Sequence, residues 1–314
     1  MKAIRFHEYG DPGVLRYEET ERPEPAAGEV LVQVAATSFN PVDAGIRAGY
    51  LQQVFQISLP HTPGIDVAGT VAALGAQVSG LAVGDRVVAF LPMFLQGAAA
   101  EFVAAPAELF APAPTTIPLA EAAALPVAAL TAWQALFEHA GLESGRRVLI
   151  NGAGGGVGGS AVQLAKQAGA YVIATASPRS AEAVRAAGAD QIIDYTTTTP
   201  AEAVTEPVDV VLNLVMASES EIEALTGLIR DGGVIVTTAT PAVGDPDRAV
   251  RGTGMQLRAD TAQLANLVKM LDAGALTVDV SASYPLAETA AVHELAATGR
   301  IRGKILLLPA PAGD

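Results

Sequence analysis

Apolar and polar positions change rhythm twice along the chain. Over residues 1–118 they come in short runs broken by turn residues. In EVLVQVAAT (29–37), Val30, Val32 and Val34 alternate with Leu31 and Gln33, the two-residue period of a strand. DVAGTVAAL (66–74), DRVVAF (85–90) and the segment 100–114 read as further strands, with Gly10, Pro12-Gly13, Pro23, Pro25 and Gly28 marking turns. Residues 119–143 are rich in Ala and Leu and predict helix. Strand and helix then alternate. Strands are expected at 147–151, 171–176, 191–195, 209–215 and 234–239, and helices at 157–168, 180–187 and 219–230. Apolar runs separated by amphipathic helices predict a parallel sheet covered on both faces. The last part is mixed: a strand at 255–260, helices at 261–274 and 287–299, and a strand at 304–309.

Composition narrows the classes. A chain of 314 residues, half of them apolar and 17% charged, has room for two globular domains. The net charge of −14, with no basic patch, argues against nucleic acid as a partner. No apolar run reaches the length of a membrane span, and MKAIRFHEYG lacks the apolar core of a signal peptide. The expectation is a soluble cytoplasmic protein without membrane partners. Cysteine is absent, which removes disulfides, thiolate metal ligands and cysteine nucleophiles.

The most informative chemistry lies at RVLINGAGGGVGGSAVQLAKQAGA (147–170). A strand enters a glycine turn, and a helix leaves it. This is the context in which such a turn binds a dinucleotide: glycines let the backbone approach a pyrophosphate, and the helix N-terminus offers it unpaired N–H groups and partial positive charge. Two registers fit, Gly152-Gly155-Gly158 and Gly154-Gly156-Gly159. NAD sites usually carry an acidic residue after the second strand to bond the ribose hydroxyls. Here that strand runs into Ala176-Ser177-Pro178-Arg179-Ser180, with no acid before Glu182. Ser177 and Arg179 suit a 2′-phosphate, so the expected cofactor is NADPH. Asn213, Thr238 and Ala239 fall at carboxyl ends of parallel strands, the edge that borders the ligand crevice.

Six segments, in order, carry a family resemblance: AATSFNPVDAGIRAG (35–49), PGIDVAGTV (63–71), GDRV (84–87), AAALPVAALTAW (122–133), the glycine turn, and the terminal GKILLL (303–308). The chain resembles the medium-chain dehydrogenase/reductase superfamily, and within it the zinc-independent quinone oxidoreductases, the zeta-crystallin group. The resemblance implies an α/β protein in which a Rossmann doubly wound parallel sheet (119–257) is inserted in a GroES-like β-barrel catalytic domain (1–118 with 258–314), and an active site in the cleft between them. It also implies the first glycine register, with Gly152, Gly155, Gly156, Val157 and Gly158 on the pyrophosphate.

Further roles follow from the resemblance. The positions at which zinc-dependent relatives place Cys, His and Cys are Asn40, Ile65 and Val127 here, so no metal is expected. Asn40 resembles a residue lining the nicotinamide and substrate end, although an Asn-Pro turn with Asp43 on local backbone is the competing reading. Tyr50 follows Gly49 as a tyrosine near this point does in related enoyl reductases, where it donates a proton. Those relatives place it two residues after the glycine rather than one. Tyr195 matches a position touching the 2′-phosphate, Thr131 one near the nicotinamide-side phosphate, and Lys304 one that reaches the cofactor or else ends a strand at the surface. His61, His139 and His293 form no metal or triad constellation.

The expected activity is NADPH-dependent hydride transfer to a quinone or conjugated enone. The alternatives are an enoyl-thioester reductase of the same superfamily and a non-catalytic NADPH-binding or redox-sensing protein. The resemblance also implies a homodimer joined through a cofactor-domain edge strand, with 255–260 as the candidate edge.

Overall fold

The computed structural model describes residues 1–54 and 56–310. They form two compact units: Met1–Val127 with the described residues from Ala259 onward, and Ala128–Arg258. The sequence places the corresponding boundaries at 118/119 and 257/258. Residues 311–314 of the expected catalytic domain lie outside the described residues.

The first unit opens with an antiparallel pair, β1 (Lys2–Arg5) and β2 (Arg16–Glu19). The long strand β3 (Glu29–Ser38) leads into α1 (Pro41–Arg47), then β4 (Asp66–Leu74), β5 (Arg86–Phe90), β6 (Phe102–Pro106) and β7 (Ala111–Pro112). β3 pairs β4 along one side and divides its other side between two partners, with β6 against Glu29–Gln33. Its alternation holds: Val30, Val32 and Val34 join Val67, Val87 and Phe110 in one core cluster. The segment expected as one β stretch at 100–114 is two strands, split by a 3-10 turn at Ala107–Leu109.

The second unit begins inside α2 (Pro126–Trp133), which continues as a wider π turn over Gln134–His139. The single helix expected at 119–143 is therefore broken. Pro126 has no N–H to donate to a preceding turn, so it starts a new helix, and only a short 3-10 turn, Glu121–Ala124, precedes it. The alternating part gives β8 (Arg147–Asn151), α3 (Gly156–Gln167), β9 (Tyr171–Ala176), α4 (Ala181–Ala186), β10 (Gln191–Asp194), α5 (Pro200–Ala203), β11 (Val208–Asn213), α6 (Glu219–Gly227), β12 (Ile229–Thr237) and β13 (Arg251–Gly254). All pairings are parallel, in the order β10-β9-β8-β11-β12-β13. Numbered within the unit this is 3-2-1-4-5-6, the doubly wound dinucleotide order, and it reverses between β8 and β11. Leu149, Ile173, Val211 and Ile235 are fully buried along it, as both-face coverage requires.

One expected strand is absent. Residues 255–260 carry no strand; the edge is β13, four residues earlier. The backbone at 258 bonds elsewhere, its N–H and carbonyl both held by the Gln134 carboxamide at 3.1 and 2.9 Å. Asp260 then caps the next helix by accepting from the Gln263 N–H.

The chain returns to the first unit through α7 (Thr261–Asp272), β14 (Val280–Pro285), α8 (Thr289–Ala297) and β15 (Lys304–Leu308). β14 and β15 run parallel with α8 as their crossover, and β15 closes against Thr37 and Ser38 of β3. This architecture, a β unit made from both chain ends with a doubly wound unit inserted, is the one the family resemblance implies.

Candidate functional site

The glycine turn after β8 sits at the point where the strand order reverses. Gly152 holds φ +95°, a conformation that strains any residue with a Cβ, and a Cβ there would stand 2.7 Å from Val215 Cγ1. Gly155 is the extended N-cap of α3. A Cβ on Gly158 would fall 2.5 Å from Ala153 Cα, so the first turn of α3 lies directly on the glycine turn. Gly159 has open space around its missing Cβ. Backbone geometry therefore demands glycine at 152 and 158, the register with Gly155 between them. Gly154 answers to a different neighbour, the Ser180 hydroxyl, 2.5 Å from its Cβ position. The N–H groups of Gly156, Val157 and Gly158 have no acceptor within the helix; the first intrahelical bond is Gly159 N–H to Gly155 O at 2.9 Å.

The loop after β9 closes on itself. Ser177 N–H donates to Ser180 Oγ at 3.2 Å, and that hydroxyl donates back to Ser177 O at 3.3 Å. Arg179 lies exposed on this loop. Tyr195 is brought to the same corner by its N–H, which donates to Ala176 O at 3.3 Å, and its ring is half exposed. Ser177, Arg179 and Tyr195 thus share one corner of the sheet, with Ser180 as a fourth polar residue that the sequence reading missed. Asn213 is fully buried at the end of β11, and its carboxamide is bonded to Asn151, Val215 and Thr240. Thr238 and Ala239 lie just past the end of β12, with Thr238 N–H on Asn213 O at 3.2 Å. Thr131 is buried within α2.

The first unit holds a buried polar cluster. Asp66, at the start of β4, is inaccessible to solvent. One of its oxygens accepts the Val127 N–H of α2 at 2.8 Å. The other accepts from Asn40 Nδ2 at 2.9 Å, from Lys304 Nζ at 3.1 Å, and from the Ser38 hydroxyl in a short bond. Lys304 also donates to Asn40 Oδ1 at 2.7 Å and to Phe39 O at 3.1 Å. The lysine is therefore buried, and its three N–H groups are committed within the protein, which removes the surface reading. The second Asn40 N–H goes to Ser38 O at 3.3 Å. Asn40 keeps no uncommitted donor for a substrate oxygen in this arrangement. It is also the N-cap residue of α1, where its N–H donates to Asp43 at 3.1 Å, so the reading of a turn fixed by Asp43 holds and extends into a helix.

Asp43 also accepts the Gly64 N–H at 3.0 Å. Burial raises its carboxyl to about 7 despite these donors. His61 and His293 are pushed down to about 4, again by burial, and their Nδ1 atoms have no hydrogen-bond partner among the described residues. Tyr50, two residues past the end of α1's C-cap, is 84% exposed. Among the described residues no group of three potential His, Cys, Asp or Glu ligands forms, and no helix is long and apolar enough to cross a membrane.

Comparison with known proteins agrees with this geometry. The family of alcohol dehydrogenase GroES-like domains matches residues 26–115, and the zinc-binding dehydrogenase family matches 187–307. A chloroplast envelope quinone oxidoreductase homolog of Arabidopsis thaliana is 42% identical over 63% of this chain, a match spanning 62% of the plant protein. The chloroplastic quinone oxidoreductase QR1 of Triphysaria versicolor is 32% identical over 98% of both chains. A 2-methylene-furan-3-one reductase of Solanum lycopersicum is 33% identical over 99% of this chain and 80% of that one. Among solved structures, the Coxiella burnetii quinone oxidoreductase superposes with a TM-score of 0.89 at 33% identity, covering 98% and 99% of the two chains. A mycobacterial protein complexed with NADPH gives 0.86 at 31% identity, covering 98% and 100%. A Rossmann unit with this glycine turn, set in a GroES-like unit, defines a nicotinamide-dependent dehydrogenase/reductase class. The chain belongs to the medium-chain dehydrogenase/reductase superfamily, in its quinone oxidoreductase family.

Proposed function

We propose that the protein is an NADPH-dependent reductase of quinones or conjugated enones that works without zinc. The observation that carries this reading is the cradle itself: three N–H groups without an acceptor in their own helix, at the start of twelve helical residues laid against a turn in which a Cβ on Gly158 would collide with backbone. Gly152, Gly155, Gly156, Val157 and Gly158 would hold the pyrophosphate. Ser177 and Arg179, with Tyr195 beside them and no carboxylate before Glu182, would take the 2′-phosphate. Thr131, Asn213, Thr238, Ala239 and Lys304 remain cofactor-side candidates, Asn213 and Lys304 acting through the bonds described above. When bound, NADPH supplies a hydride.

The chain's own share is orientation, exclusion of water, and one proton. A phenol can donate that proton, which makes Tyr50 the side-chain candidate and water the alternative. Zinc independence rests on the donor set: Ile65 and Val127 offer only hydrocarbon, and Asn40 is engaged with Lys304 and Asp66. Homodimerisation is retained as a proposal, moved from 255–260 to β13, which pairs on one side only. The cytoplasm remains the proposed compartment.

Stopped-flow oxidation of NADPH with a panel of quinones, enones and enoyl thioesters tests the reading. Turnover with quinones or enones supports it, preference for enoyl thioesters favours the alternative reductase, and binding without turnover favours a sensor. Arg179→Glu should lower the NADPH/NADH ratio of kcat/KM by about tenfold or more, the loss of one charge-assisted bond plus repulsion. An unchanged ratio removes Arg179 from the phosphate site.

A further inference from the structure

A strip of side chains crosses the carboxyl edge of the second unit's sheet, and the proposed chemistry leaves two of its members, Thr175 and Asn151, without a role. Gly152 N–H donates to Thr175 Oγ1 at 2.8 Å. The Thr175 hydroxyl donates to Asn151 Oδ1 at 2.9 Å, and Asn151 Nδ2 donates to Asn213 Oδ1 at 2.8 Å. Asn213 Nδ2 then donates to Val215 O at 2.8 Å and Thr240 Oγ1 at 3.3 Å. The strip thus joins the ends of β9, β8 and β11 and the loop after β12. Every bond points the same way, from the glycine turn outward, so each group polarises the next.

Thr175 is the anchor of the turn. Its hydroxyl takes the Gly152 N–H and its carbonyl takes the Ala153 N–H at 3.2 Å. With those two N–H groups turned into the sheet, the chain reaches Gly155 and opens α3, whose first N–H groups have no acceptor within the helix. A threonine hydroxyl rotates unless a partner fixes it, and Asn151 does so. Asn213, fully buried, in turn holds Asn151.

We infer that Thr175 and Asn151 are positioning residues that preorganise the glycine turn for the pyrophosphate of a dinucleotide, and that the strip makes this turn and the loops after β11 and β12 one unit. The inference rests on the reading of the turn as a dinucleotide cradle. A pyrophosphate is common to NADPH and NADH, so the strip governs affinity for both cofactors alike and leaves the choice between them to the Ser177–Arg179 corner.

Thr175→Val keeps the shape and removes the hydroxyl; Thr175→Ser keeps the hydroxyl. Dissociation constants for NADPH and NADH, measured by nicotinamide fluorescence on the folded full chain well below its unfolding temperature, decide the matter. Thr175→Val should weaken both cofactors by about tenfold, the scale of one buried hydrogen bond, with their ratio unchanged, and Thr175→Ser should restore both. Asn151→Ala should weaken both in the same proportion, and the double variant should be no worse than the poorer single one, because one chain is broken either way. A purely structural strip would lower thermal stability and leave both constants at wild-type values, which would overturn the inference. So would a changed ratio, or multiplicative losses in the double variant. If Thr175→Val does not fold, Asn151→Ala, at a partly exposed position, carries the test alone. A wild-type protein that binds neither cofactor would instead overturn the dinucleotide reading on which the inference stands.

Discussion

Lys304→Met should destabilise the protein strongly in the absence of any cofactor. The lysine side chain is 7% exposed and its partner Asp66 is fully buried, so solvent does not screen the pair. Methionine fills similar volume but withdraws three donors, from Asp66 at 3.1 Å, Asn40 Oδ1 at 2.7 Å and Phe39 O at 3.1 Å. Asp66 keeps the Val127 N–H, the Asn40 amide and the Ser38 hydroxyl, yet it becomes a buried carboxylate without a counter-charge. Breaking a buried pair from one side costs about 3–5 kcal/mol. For a folding unit of 150–250 residues, about 2–4 °C per kcal/mol puts the fall in Tm at about 6–20 °C. Scanning calorimetry of the cofactor-free protein measures it. Adding Asp66→Asn removes the orphaned charge and should recover a good part of the loss, because the cost lies in the unpaired carboxylate. A Tm within about 2 °C of wild type, together with weakened NADPH binding, would refute this reasoning and make Lys304 a cofactor contact. A double variant no more stable than Lys304→Met would show that the loss came from packing alone.

Gly158→Ala should abolish cofactor binding and lower Tm, since its methyl would meet the Ala153 backbone 2.5 Å away, whereas Gly159→Ala, with open space, should be nearly neutral. Equal effects of the two on NADPH titration would undo the register assigned to the turn. The pH dependence follows from the buried histidines. Their folded values near 4 lie below the ordinary 6.5, so the unfolded chain binds more protons, and their contribution is full above pH 6.5 and is lost as pH falls toward 4. Each is worth about 3 kcal/mol at the acid end. Asp43 opposes them: raised to about 7, it favours the folded state below its ordinary value and loses that contribution as pH rises through 7. In His61→Phe the drop in Tm between pH 6.5 and 4 should shrink, with little change above pH 7; an unchanged acid limb would show that His61 does not carry it.

The sheet of the second unit was legible because a parallel strand buried on both faces must be apolar along its length, and five such runs with helices between them leave few topologies. Boundaries failed where a distant partner decides them. Residues 255–260 have strand-like composition, but Gln134, more than a hundred positions away, takes the backbone groups of Arg258. Helix α1 shows in the sequence only as a turn, because its seven residues, Pro41–Arg47, are too few to show a period. The glycine turn was legible as a link from strand to helix, and the space around Gly158 and Gly159 separates its two registers. The strip from Thr175 to Thr240 was not legible at all. Its members lie on different strands and become neighbours only through the strand order, and a lone Thr or Asn at a strand end has many ordinary explanations.

The three positions aligned with metal ligands in zinc-dependent relatives bear on the chemistry from a different side. In this chain they gather around Asp66: Asn40 bonds it through its amide, Val127 through its N–H, and Ile65 precedes it. The side chains of Ile65 and Val127 have no donor atom, and the Asn40 oxygen is bonded to Lys304. What the surroundings hold instead is a carboxylate neutralised by a lysine whose every donor is engaged. Such a pair stores no electrophile for a carbonyl oxygen; it fixes the start of α1 and the start of α2 in one bonded cluster. Reduction of a simple ketone, which needs a strong electrophile on oxygen, is poorly served by this arrangement. A quinone or an enone accepts a hydride at carbon and delocalises the resulting charge through its own conjugation, so it asks of the protein mainly orientation and a late proton. The donor set and the proposed substrate class therefore constrain each other, and of the three positions only Asn40 holds the Asp66–Lys304 cluster through its side chain.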